Sequence, residues 1–115
     1  MTPEQQRIAI AKACGWTVKR DSNGWWRAVH KFTGNAMAAR LSERSVWSVG
    51  IPDYLNDLNA MHEAEKVLDY NQLREMEDSV SFQFAVYPFH ATASQRAEAF
   101  LRTLGLWQET PTQPQ

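Results

Sequence analysis

The chain carries a single cysteine, Cys14, in 115 residues. A lone thiol excludes an internal disulfide and any zinc site built on several cysteines. Net charge is also nearly absent, since 12 Lys and Arg against 13 Asp and Glu leave −1. A field that weak excludes generic electrostatic coating of nucleic acid but leaves room for a local basic pocket. No apolar run approaches the roughly 20 residues of a membrane span. The first residues, Thr2-Pro3-Glu4-Gln5-Gln6, lack the basic and then apolar pattern of a signal segment. The five glycines, Gly15, Gly24, Gly34, Gly50 and Gly105, all stand singly, so there is no glycine loop to cradle phosphate. There is no Gly-x-Ser-x-Gly nucleophile elbow.

What is present is a globular composition, 43% hydrophobic, 22% charged and 11% aromatic, at 13.2 kDa. It predicts one small cytosolic domain over residues 1–107. The polar residues 108–115, with two prolines, are expected to form a disordered tail.

Thr2, Pro3 and Gln5 make a capping box with proline at the first helical position, and Gly15 supplies a left-handed stop. A helix is expected from Pro3 to Cys14. Trp16 to Arg20 is β-prone, Asp21-Ser22-Asn23-Gly24 reads as a two-residue hairpin turn, and Trp25 to Phe32 is the return strand. Thr33-Gly34-Asn35 turns again, and Ala36 to Leu41 is expected as a weaker third strand, although its Ala and Met residues also suit a helical turn. Leu41 to Gly50 has no clear period and reads as a loop lying across the core. Pro52 opens an amphipathic helix on Tyr54, Leu55, Leu58, Met61, Ala64 and Leu68. A short helix is expected from Asn71 to Glu77. Ser79 to Tyr87 alternates strictly, with Val80, Phe82, Phe84 and Val86 on one side, which predicts a strand. Thr92 and Gln95 form a second capping box, and Gly105 ends that last helix with Leu106 folding back. The expected class is α+β: a small, mainly antiparallel sheet (the N-terminal hairpin plus the strand near 79–87) covered by three main helices.

Catalytic and metal motifs are weak. His62-Glu63 begins like a zinc-protease motif, but Lys66 stands where the second histidine belongs. Cys14 sits at a helix C-terminus, the wrong end to activate a thiol, so it reads as core. Asp53 and Asp57 suit the first turn of a helix. A catalytic reading would need Asp57, His62 or His90 to converge. No catalytic residue, metal or cofactor is therefore expected, and the chain is read as a non-enzyme.

Five tryptophans in so short a chain are its oddest feature. Trp25 and Trp26 are adjacent on a strand, so at most one faces the main core. Trp25 shares its face with Arg27 and Lys31, while Lys19 and Arg20 lie across the hairpin. One aromatic among cations suits a nucleotide. Arg40 and Arg44 flank Ser42, Ser45 and Ser48, a second anion-binding candidate. Arg96 is unfavourably close to a helix N-terminus, so a salt bridge is expected there.

Two segments carry a resemblance. Ile51 to Glu65 (Ile51-Pro52-Asp53-Tyr54-Leu55-Asn56-Asp57-Leu58) resembles a stretch of small bacteriophage and prophage proteins. Ala91 to Leu101, closed by Leu104-Gly105-Leu106-Trp107, resembles their C-terminal helix. With Trp25-Trp26 the chain looks like a member of the phage ABA-sandwich domain family over about Gly15 to Trp107. The resemblance implies an α/β/α sandwich and a phage product acting in the cytoplasm of the infected bacterial host. It brings no functional residues.

The expected function is a non-catalytic protein that counters host defence by sequestering a nucleotide immune signal. Trp25, Arg27, Lys31, Arg40 and Arg44 are its candidate ligand-binding residues, in a homo-oligomer with no membrane partner and no generic nucleic-acid binding. The alternative is a protein-binding inhibitor of a defence effector such as a CRISPR complex, presenting Asp53, Asp57, Glu63 and Glu65. A further alternative is a phage accessory protein without a ligand.

Overall fold

The computed structural model describes residues 1–31 and 42–109. They form an α+β fold of five α-helices and a two-stranded antiparallel sheet.

Helix α1 (Pro3–Ala13) starts as expected. Thr2 Oγ1 accepts from the Gln5 N–H at 3.1 Å, and the Gln5 side chain accepts from the Thr2 N–H at 2.9 Å. Ile10 and Ala11 are fully buried. Gly15, at φ 94°, turns the chain into strand β1 (Trp16–Arg20), which pairs with β2 (Trp26–His30). The register sets Trp16 opposite His30, Val18 opposite Ala28 and Arg20 opposite Trp26 on the face that holds the buried Ala28.

The hairpin turn differs from the expected two-residue form. The type I′ turn that Asn-Gly favours needs positive φ at both central residues, and here only Gly24 has it, at 84°. Gly24 N–H bonds the Asp21 carbonyl and Asp21 N–H bonds the Trp25 carbonyl, giving a longer loop. Asp21 holds it closed. Its carboxylate accepts from the Trp25 and Asn23 amides at 2.9 Å and from Arg27 Nε at 3.0 Å. The bond from the Trp25 amide, helped by Arg27, draws the Asp21 carboxyl below its ordinary range.

Helix α2 (Glu43–Val49) occupies the stretch read as loop. Ser42 caps it by accepting from Ser45 N–H, and Val46 is fully buried. Two turns are too short to display a 3.6-residue period. Pro52 opens a turn rather than a helix. Asp57 N–H bonds the Asp53 carbonyl, and the Asp57 carboxylate then caps α3 (Leu58–Glu65) through the Asn59 and Ala60 amides. A short polar side chain that takes over backbone amides stops one element and starts the next.

The expected strand at 79–87 is overturned. Residues 70–84 form one helix, α4 (Tyr70–Phe84), opened by an Asp69–Gln72 capping box and ended by Ala85 in the left-handed conformation. Leu73, Met76, Val80 and Phe84 recur at three and four and form its inner face, with Met76 and Val80 fully buried. Phe82, assigned to the same side as Val80 in a strand, turns outward. The alternation was a local coincidence inside a longer helical period. A 3-10 turn (Pro88–His90) leads to α5 (Ala93–Thr103), capped by Thr92 and Gln95. Gly105 N–H bonds the Arg102 carbonyl and Leu106 N–H bonds the Leu101 carbonyl, the expected fold-back.

Helix α5 is the hub, packing on α1, α3 and α4, while α1 and α2 pack on the hairpin. The expected third strand at 36–41 lies outside the described residues. With 79–84 helical, the sheet of the expected sandwich reduces, among the described residues, to the hairpin. Gln108 and Glu109 are tied down. The Gln108 carbonyl accepts from the Met1 ammonium at 2.9 Å, and Glu109 accepts from Trp107 Nε1 and Arg102.

Candidate functional site

A cleft of about 630 Å³ opens where the start of the hairpin, the Pro52–Asp57 turn and α3 meet. Cys14 and Trp16 come from the α1–β1 junction and His30 from the end of β2. Pro52 and Tyr54 come from the turn, and Ala60, Glu63, Ala64, Lys66 and Val67 from α3 and just beyond it. Pairing fixes the first wall, because Trp16 lies opposite His30 and Lys31 N–H bonds the Gly15 carbonyl at 2.8 Å. The Trp16 and His30 rings meet edge to face, 5.0 Å apart.

The buried polar atoms of the cleft form one chain. Trp16 Nε1 donates to the Tyr54 hydroxyl at 3.0 Å, Tyr54 is hydrogen-bonded to the Cys14 thiol, and Cys14 Sγ donates to the Ala64 carbonyl at 3.8 Å. Burial pushes the thiol up to about 11, against a smaller lowering by Tyr54. Burial, and next the adjacent Cys14, raise the Tyr54 phenol well above its usual range. Both groups therefore keep their protons at neutral pH, and neither is a ready nucleophile or base. At the rim Lys66 Nζ pairs with Glu63 at 2.8 Å, both side chains being largely exposed.

The residues expected to bind ligand lie elsewhere. Trp25 is 41% exposed in the hairpin loop. Arg27 is held by Asp21. Lys31 is exposed just past β2, and Arg44 is exposed in the first turn of α2. Arg40 lies outside the described residues. Trp25 and Arg27 meet around Asp21, and none of Trp25, Arg27, Lys31 and Arg44 is among the described residues that line the cleft.

The acidic set does not form one surface. Asp53 accepts from the Asn56 side chain, Asp57 caps α3 and Glu63 pairs with Lys66. Glu65 is buried, which corrects its placement on an exposed patch. It accepts two bonds from the buried Arg96 guanidinium, whose third nitrogen donates to the Pro88 carbonyl at 2.8 Å. This is the salt bridge expected of Arg96. Glu65 holds the Arg96 guanidinium above its ordinary value, against the lowering by burial. Together the two residues staple α3, α5 and the 3-10 turn.

His62 Nδ1 approaches Glu65 at 3.6 Å, whereas His90 lies against Phe89, 4.4 Å between rings. No group of three or more metal-ligating side chains occurs among the described residues.

Trp16, Tyr54 and Cys14 were missed as site residues because they come together only through tertiary packing. The one available signal was hairpin register, which sets Trp16 against His30. No protein-family model, curated protein or solved structure matches the chain.

Proposed function

We propose that the chain is a non-catalytic binding module whose cleft takes a planar ring of a small ligand. The observation that carries this reading is the closed Trp16–Tyr54–Cys14–Ala64 chain beneath the cleft. It consumes the buried donors and leaves the Trp16 and His30 rings with the apolar Pro52, Ala60 and Val67 walls to meet a ligand. Such a concave, largely apolar site with a few polar groups at its rim is the usual form of a small-molecule pocket. In the preferred version the ligand is a nucleotide, its base in the cleft and its phosphate near Lys66. The Glu63–Lys66 pair is exposed, so Lys66 gives up little on turning to a phosphate. The resemblance of the Ile51–Glu65 and Ala91–Leu101 segments to phage proteins supplies the setting, in which such a module would withhold a nucleotide immune signal from host defence.

The test is a thermal-shift series with cyclic dinucleotides and ADP-ribose-type nucleotides, followed by chromatographic recovery of the nucleotide. Saturation at about 100 times Kd adds about 2.7 kcal/mol, a rise of about 10 °C for a domain of this size. The shift should vanish in Ala60→Leu, which fills the cleft, and persist in Trp25→Ala, which lies outside it. A degraded nucleotide, or no shift with any compound, refutes the reading.

A further inference from the structure

We propose that this chain associates with a second copy of itself head to tail, the basic hairpin tip of one copy docking on an acidic, aromatic surface around the end of α4 in the next. The charges of the chain are divided along its length. Residues 1–50 hold eight of the 12 basic residues and three of the 13 acidic ones, a net +5, and residues 51–115 carry −6. The near-zero total hides a dipolar molecule.

The acidic surface is defined by helical spacing. Glu75, Asp78 and Phe82 recur at three and four along the outer face of α4, and all three are exposed. Arg74, also exposed and one turn before Asp78, borders the same face and leaves Arg74, Glu75 and Asp78 together at a net −1. No ion pair engages Glu75 or Asp78 among the described residues. Phe82 is 90% exposed. Just past the helix, Tyr87 and Phe89 are 70% and 76% exposed, their rings stacked at 5.7 Å. Three large aromatics so open to water, beside unpaired carboxylates, mark a surface built for contact rather than for the core of one chain.

The complementary surface is the hairpin tip. Lys19 and Arg20 are exposed at the end of β1, and Trp25 is 41% exposed in the loop that Asp21 clamps. Arg20 lies over the Trp26 ring at 6.0 Å, which holds its stem against the sheet. Cations and one indole here would meet carboxylates and aromatic faces there, through ion pairs and cation–π contacts.

The two surfaces are not each other's partners within one chain. The hairpin packs on α1 and α2, while α4 packs on α5 and the 3-10 turn. A second copy supplies what each lacks. Two different patches in contact make a heterologous interface, which repeats from copy to copy.

The experiment is sedimentation velocity on the full chain from 10 µM to 1 mM, in 20 mM and 500 mM NaCl. The wild-type mass should rise with concentration at low salt and return to monomer at high salt, where charge is screened within a few ångströms. Lys19→Glu/Arg20→Glu and Glu75→Lys/Asp78→Lys should each weaken self-association at least tenfold while keeping the wild-type circular dichroism. Mixed, the two variants should associate again, through the remaining native pair of surfaces and through the swapped pair, whose charges are once more opposite. Phe82→Ser, at an exposed position, should weaken association without unfolding the chain. A wild-type monomer at 1 mM and low salt overturns the proposal and leaves the α4 surface to a basic partner protein. Association that survives both reversals, or a mixture that stays monomeric, overturns it as well.

Discussion

Breaking the Glu65–Arg96 pair should be among the most damaging single changes to this fold. The side chains are 6% and 5% exposed, and the guanidinium also satisfies the Pro88 carbonyl. Glu65→Gln leaves a buried cation facing a neutral amide. Arg96→Met leaves a buried carboxylate and orphans that carbonyl. Removing one partner of a buried pair costs about 3–5 kcal/mol. Unfolding entropy near 2.1 cal/mol/K per residue makes each kcal/mol worth about 4 °C in a chain of this length. Each variant should therefore melt about 12–20 °C below wild type in calorimetry, with a lower urea midpoint and an unchanged slope. The double variant Glu65→Leu/Arg96→Met separates pairing from packing. With both charges gone it should be far more stable than the two losses added together predict. Single losses below about 1 kcal/mol that simply add in the double variant would refute the reasoning, since the pair would then behave as solvated.

Two further outcomes follow from buried groups. The folded state holds the Cys14 proton up to about 11, whereas the unfolded thiol releases it near 9.0. The folded form then binds more protons between those values, so stability is full below pH 9 and falls as the pH rises toward 11, by at most about 2–3 kcal/mol. The raised Tyr54 phenol acts in the same direction. Urea midpoints from pH 7 to 11 check this, and thiol alkylation at pH 8 should be slow until denaturant is added. Gly50→Ala should cost about 1–3 kcal/mol by overpacking, because the new Cβ would lie 2.8 Å from the Val46 carbonyl oxygen, and thermal melts would read it.

What was legible in the sequence was whatever a few adjacent residues decide. The Thr2–Gln5 and Thr92–Gln95 boxes placed the starts of α1 and α5, and Gly15 and Gly105 placed their ends. Arg96 announced its salt bridge through an unfavourable position in its own helix, but the partner sits 31 residues away on α3 and nothing local names it. The error at 79–87 has the same root. Val80, Phe82, Phe84 and Val86 satisfy a two-residue period within nine residues, whereas the helical period appears only when Leu73 and Met76 are included. The cleft was invisible for a stronger reason. It needs Cys14, His30, Tyr54 and Ala64 from four separate segments, and none of these is unusual where it stands.

The tryptophan excess looked like a binding signal, and the structure gives most of it another cause. Trp16, Trp26, Trp47 and Trp107 are half-buried against the core edge. Three of them lie under a cation: Lys12 is 5.4 Å from the Trp47 ring centre, Arg20 is 6.0 Å from Trp26 and Arg102 is 4.9 Å from Trp107. A chain this short buries a smaller share of its surface than a large one. Indoles with cations over their outward faces extend the apolar layer to the surface while charge still meets water. That arrangement commits Lys12, Arg20 and Arg102 to indole faces, and none of the three lines the cleft. Trp16 differs from the other three. Its indole N–H is taken by the buried Tyr54 hydroxyl, no cation lies over it among the described residues, and it lines the cleft. A ligand in that cleft would meet ring faces and shape. Charge would contribute at the rim, where Lys66 is the one Lys or Arg among the described lining residues.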